Sequence, residues 1–239
     1  MESITQFFNI ILYQPLFNVL ILLYEYLSFR DLGLAVILLT VLIRVILYPL
    51  GVKAIKSQKA MAVLQPKLKE IQEKHKNNKE EKAKATMELY QKEGVNLFSG
   101  CLPLLIQFPI LIALYWVFLT FQDGLSPDEL KFLYSFVPSP QIDTDFLGII
   151  NLISPSIPIA VLAGIAQFVQ TKTLPLPAFS KNKADISQMM QKQMLYFFPF
   201  FTVFILWNFP SVIGLYWLTT TLFSIAQQYL ILRAFPQPK

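Results

Sequence analysis

The stretch Leu32-Gly-Leu-Ala-Val-Ile-Leu-Leu-Thr-Val-Leu-Ile-Arg-Val-Ile-Leu-Tyr-Pro-Leu50 decides how the rest of the chain is read. It is an apolar run long enough to cross a bilayer, broken by one charged residue, Arg44. A fixed cation at membrane depth costs roughly 2.5–3.5 kcal/mol on insertion scales. Arginine cannot shed its proton to escape that cost. A partner, water or a functional use inside the membrane must therefore accompany it. The bland counter-reading is that Arg44 snorkels to the inner headgroups as an anchor.

Working outward, composition agrees with a membrane protein. The chain has 239 residues, 54% of them hydrophobic and only 15% charged, with a mean hydropathy of +0.50. This excludes an ordinary soluble domain. A single cysteine, Cys101, excludes an intrachain disulfide and a multi-cysteine metal site, and the single histidine, His75, leaves little for histidine chemistry. No cofactor and no metal is expected. The basic balance comes from lysine and reports orientation rather than nucleic-acid recognition.

Five apolar spans are expected, at about residues 32–51, 101–122, 147–170, 193–208 and 212–232, with the regular part of the third beginning near Ile157. Before them, residues 6–28 carry a narrow polar stripe of Gln14, Asn18 and Glu25. Either an amphipathic interfacial helix or a poor transmembrane helix fits; Glu25 and Pro15 favour the interfacial form. The amino terminus has no basic patch of the kind that precedes a signal peptide's core, so this segment is expected to be retained.

Between the first two spans, residues 53–94 hold eleven lysines and six glutamates. Met61, Leu64, Leu68, Ile71 and His75 recur at helical spacing, and Ala83, Met87 and Tyr90 resume it after Asn77-Asn78. The pattern predicts a helical hairpin with facing apolar stripes, Pro66 kinking its first arm or opening a new helix. Basic residues in this hairpin, in the 171–192 loop and in the tail belong in the cytoplasm. The acidic 123–146 loop belongs outside, which puts the amino terminus out and the carboxyl terminus in.

No Asp or Glu occurs in any of the five spans, so Arg44 has no resident counter-ion. Thr40 and Tyr48 lie one turn either side of it on the same face, and polar residues from the other spans can gather round it: Gln107, Gln167, and Tyr216, Trp217 and Thr220 from the last span. These are the candidate groove residues, enclosing a hydrated cavity open to the cytoplasm. The absence of acid argues against a proton- or cation-coupled transporter. It leaves a chaperone-like groove, an anion channel or transporter in which Arg44 selects solutes, or an assembly factor. An intramembrane hydrolase lacks a nucleophile–base pair.

These motifs resemble those of the YidC-type membrane protein insertases over nearly the whole chain. The resemblance is carried by Leu38-Leu-Thr-Val-Leu-Ile-Arg44 through Pro49, by Leu64-Gln-Pro-Lys-Leu-Lys-Glu-Ile-Gln-Glu-Lys74, and by Gly94-Val-Asn with Gly100-Cys-Leu-Pro-Leu-Leu-Ile-Gln-Phe-Pro-Ile110. It continues through Phe209-Pro-Ser, Gly214-Leu-Tyr-Trp217 and Ser224-Ile-Ala-Gln-Gln228. It implies an all-α integral membrane protein: a five-transmembrane-helix core, residues 31–239, with a cytoplasmic helical hairpin and an N-terminal amphipathic helix, residues 1–30. It further implies a non-enzymatic insertase of the bacterial plasma membrane, in which Arg44 and Thr40 belong to the hydrophilic groove and Trp217 contacts nascent chains. The implied partners are nascent membrane proteins and the lipid bilayer. The ribosome, targeting factors and the Sec translocon would be met through the hairpin and the 171–192 loop. Leu97 departs from the family's usual proline after Val-Asn. The large extracytoplasmic domain of some members and a long basic tail are not expected here.

Overall fold

The computed structural model describes residues 2–76, 78–95, 102–121, 125–139, 141–174 and 193–234. Its framework is helical. A rod of α1 (Glu2–Phe8), a π-helical turn (Asn9–Tyr13) and α2 (Gln14–Tyr26) leads to α3 (Leu32–Ile46), α4 (Tyr48–Lys74) and α5 (Lys79–Lys92). Then come α6 (Leu102–Leu119), the short α7 (Pro127–Leu130) and a two-stranded antiparallel hairpin, β1 (Asp145–Phe146) with β2 (Ile150–Asn151). The chain ends in α8 (Ile157–Thr173), a second π-helical turn (Gln193–Phe197), α9 (Phe198–Leu206) and α10 (Ser211–Ala234).

The run that opened the reading is not one straight span. It breaks at Leu47 and turns by 65° into α4. Pro49 is the cause: it has no N–H to give to the carbonyl one turn earlier, and it is accommodated in the first turn of the new helix. The hairpin's first arm therefore starts at Tyr48, and α3, fifteen residues long, extends only about 22 Å at 1.5 Å per residue. Pro66 opens no new helix, since α4 runs through it.

The third span begins its regular helix at Ile157, as the prolines imply; residues 147–156 instead form β2 and tight turns. Among the described residues, Thr5–Tyr26 is one continuous helix long and apolar enough to cross a bilayer, and the bent α3–α4 pair passes the same test. Leu105–Leu119 and Gln193–Leu206 are apolar but shorter.

The packed interior is formed by Phe17, Leu20, Ile21 and Tyr24 of α2, Leu32, Val36 and Leu39 of α3, Leu114 and Val117 of α6, and Leu152. Helices α8, α9 and α10 approach closely through small residues. A Cβ on Gly164 would lie 2.3 Å from Val203 Cγ2, and one on Gly214 would lie 2.8 Å from Ile159 Cγ2. Such contacts let helices associate by van der Waals packing where lipid removes the hydrophobic drive. The outward faces of α6, α8, α9 and α10 expose Leu105, Phe108, Leu162, Ile165, Phe200, Phe204 and Leu222. An apolar surface of that extent is unstable in water and suited to hydrocarbon.

The N-terminal rod is not a free amphipathic helix. Asn18, read as part of a polar stripe, is buried; its Nδ2 donates to Gln14 O and Phe132 O, both at 2.7 Å, and its Oδ1 accepts from Tyr134 N at 2.7 Å. Tyr13 donates to Thr120 Oγ1 at 3.0 Å, whose own proton goes to Trp116 O. Tyr24 donates to Gln141 O at 3.3 Å and accepts from Asp143 N at 2.8 Å. From Tyr13 to Tyr24, about 16 Å of helix, the rod follows the loop joining α6 to α8. Asp31 ends the clamp by capping α3 through Leu34 N and accepting from Leu147 N at 2.7 Å.

The 53–94 segment holds two contacting helices, α4 and α5. Leu64 and Leu68 are buried, but α5 has no buried residue and Met87 stands exposed. Polar contacts finish what the apolar stripes do not. Asn78 caps α5, accepting from Glu80 N and Glu81 N at 3.1 and 3.2 Å. His75 Nδ1 meets Glu81 at 2.9 Å, and Lys67 donates to Glu93 at 2.5 Å. Cys101, Leu97 and nearly all of the 171–192 loop lie outside the described residues.

Candidate functional site: a polar cavity around Arg44

Arg44 sits in the last turn of α3, just before the break. It lies on the wall of a cavity of about 300 Å³, together with residues of α4, α6, α8 and α10. Each helix contributes a polar or small face. Helix α6 brings Gln107 and Leu111, and α8 brings Gln167 and Gln170. Helix α10 presents Tyr216, Trp217, Thr220, Thr221, Ser224, Gln227 and Gln228, residues at the three- and four-residue spacings of two adjoining stripes.

The polar groups are wired across helices. The Arg44 guanidinium donates through Nη2 to Gln107 Oε1 at 2.9 Å, and the Gln107 amide nitrogen donates to the Tyr216 hydroxyl. Gln167 Oε1 accepts from Thr202 Oγ1 at 2.6 Å and from Trp217 Nε1 at 3.1 Å, tying α8, α9 and α10 together. Gln228 Oε1 accepts from Thr173 Oγ1 at 2.9 Å. Tyr216 is buried and Trp217 is bonded inward, so neither serves as a belt aromatic. Among the described residues no carboxylate lines the cavity. Arg44 Nε is buried without a partner, as is Gln58 Oε1 on the same wall.

Of the residues singled out from sequence, Arg44, Gln107, Gln167, Tyr216, Trp217 and Thr220 come together here. Two do not line the cavity. Thr40 is buried, its hydroxyl donating to Val36 O at 2.6 Å, a bond back to its own helix. Tyr48 contributes its main chain: at the helix break its carbonyl accepts from Gln227 Nε2 at 3.0 Å, and its ring is exposed. The wall that sequence reading missed is the root of the hairpin, Gly51, Ala54, Ile55 and Gln58. Their spacing of three, four and seven marks one helix face, but the charge run that follows drew the whole segment into the cytoplasm. A Cβ on Gly51 would lie 2.6 Å from the Gln227 amide nitrogen, so a larger residue there would displace that side chain.

The arrangement offers hydrogen bonds and one positive charge, without a nucleophile–base pair. No cluster of three or more metal-ligating side chains exists among the described residues. Its chemistry is non-covalent recognition of polar groups in a partly desolvated space, where such contacts are stronger than in water.

Comparison with known proteins bears on what is recognised. The model of a family described as "60Kd inner membrane protein" matches residues 22–238. Proteins named "Membrane protein insertase YidC" from Francisella tularensis subsp. novicida (strain U112) and Francisella tularensis subsp. tularensis (strain SCHU S4 / Schu 4) are each 38% identical over 203 residues, 85% of this chain. The aligned part is 33% of those relatives, so the chain spans about a third of their length.

Proposed function

The chain belongs to the 60Kd inner membrane protein family, and from that membership we propose that it is a membrane protein insertase and chaperone. A nascent segment enters the cavity from the cytoplasmic side, and its polar or acidic residues exchange water for Arg44 and the surrounding amides and hydroxyls. Its apolar helix then leaves sideways into lipid, driven by transfer of apolar surface at roughly 25 cal/mol per Å². The membrane potential assists acidic segments moving outward. The process is a downhill partition, so it needs neither nucleotide nor covalent chemistry.

The observation that carries this reading is the Arg44 guanidinium, held by one neutral amide and facing a cavity that no carboxylate lines among the described residues. A resident acid would close the site into a static ion pair; its absence leaves the charge available to a visitor. The proposed frame is the five-span core with the amino terminus outside and the carboxyl terminus in the cytoplasm. The N-terminal rod then lies along the outer surface, a placement supported by its contacts with the outer loop at Asn18 and Tyr24. The hairpin, with its lysine-rich surface, is the proposed meeting place for ribosome, targeting factors or translocon.

Site-specific photocrosslinking during synthesis of a small single-span substrate tests the reading. Probes at Gln167 and Trp217 should capture the nascent chain, and Thr40, bonded back into α3, should capture it less. Solute flux through the reconstituted protein with no nascent-chain adducts would replace the insertase reading with a channel.

A further inference from the structure

The cavity wall holds three buried side-chain atoms without hydrogen-bond partners: a donor, Arg44 Nε, an acceptor, Gln58 Oε1, and the Thr220 hydroxyl, which can serve as either. Buried polar atoms without partners cost about 1–3 kcal/mol each, and native structures keep them where water or a ligand completes them. The first two differ in origin. Arg44 comes from the membrane-embedded α3, whereas Gln58 comes from α4, the first arm of the cytoplasmic hairpin. The hairpin root is held against α10 by the bond from Gln227 to Tyr48 O, with Gly51 making room for the Gln227 amide. With that contact made, Gly51, Ala54, Ile55 and Gln58 form one face of α4 toward the cavity.

We propose that Gln58 is a substrate-contacting residue: its Oε1 accepts an N–H from the segment whose carbonyl is met by Arg44 Nε. One donor and one acceptor together match an amide, either a main-chain peptide group or the side chain of Asn or Gln. A carboxylate, which only accepts, uses Arg44 and leaves Gln58 Oε1 without a partner. The site is thus built for neutral polar segments as well as acidic ones, and the hairpin supplies the half that distinguishes them. This inference rests on the insertase reading and deepens it by naming the substrate chemistry.

The test uses the full chain in membranes. A photocrosslinking residue at position 58 is compared with one at Trp217 in the cavity and one at the exposed Gln72 on the hairpin. Adducts at 58 and 217, and not at 72, are expected. Adducts at 217 without any at 58 overturn this inference and leave the insertase reading intact; adducts at neither position remove both. In a second arm, matched single-span substrates carry outer tails of Asn and Gln or of Asp and Glu. Gln58→Leu should lower insertion of the neutral tails roughly three- to ten-fold, the range a single net hydrogen bond supplies, with a smaller effect on acidic tails. Gln58→Glu should do the reverse, because the new carboxylate occupies Arg44. Equal losses for both tails in both variants would mean a merely structural role and sink the proposal. Should a variant fail to accumulate, the crosslinking arm decides.

Discussion

The outer clamp and the inner cavity use the same kinds of polar side chain to opposite ends. At the clamp, Asn18 satisfies three hydrogen bonds, Tyr24 two, and Asp31 holds both a helix cap and a strand turn. One oxygen of Glu25 is left over there, while the other pairs with Arg30. In the cavity, Arg44 Nε and Gln58 Oε1 stay open although they are buried. Polar groups that complete one another fix a shape; polar groups left incomplete in a dry space create demand for a visitor. The clamp is therefore read as structure and the cavity as function.

The sharpest way to break this contrast is Asn18→Leu. It strands Phe132 O and Tyr134 N beneath the rod, and a loss of about 3 kcal/mol in stability is expected, measured as unfolding in detergent or nanodiscs. A neutral outcome would mean that the rod does not hold the loop. Next is Arg44→Ala, expected to lower insertion of substrates with polar outer tails about ten-fold, with Arg44→Lys keeping most of the activity. Stability should hold or rise, since a desolvated cation is removed. Parallel loss of stability and insertion would erase the distinction between the two regions.

The smallest expected effect concerns the far end of the hairpin, where α5 meets α4 away from both regions. Lys67 beside Glu93 holds that carboxyl below the usual carboxylate range, by hydrogen bond and charge. A depressed carboxylate contributes stability at pH values above its unfolded value and loses it as pH falls through the folded one. Hydrogen exchange of α5 should therefore quicken below about pH 4, and Glu93→Gln should bring that quickening to neutral pH. An unchanged exchange profile in Glu93→Gln would show that the ion pair does not secure the second arm.

Much of the site was legible before any coordinates. Arg44 stood out because charge in an apolar run has few explanations, and the polar stripes of α10 repeat at helical spacing. Spacing put Thr40 on the face of Arg44 but could not give its hydroxyl's partner, which is Val36 O. Gln58 was overlooked because a glutamine among lysines looks like solvated surface. Asn18 showed only as part of a polar stripe, because two of its partners lie more than a hundred residues away.

By itself the amino-acid sequence determined the helical membrane class, the charged segment 53–94, the lack of acid in the apolar runs around Arg44 and the family. Those properties depend on composition, periodicity and motif order, which are local. Only the tertiary structure decided that Pro49 bends the first span by 65°, that the hairpin root walls the cavity, and which buried groups find partners. Those outcomes depend on which faces of distant helices meet, and no local pattern carries that information.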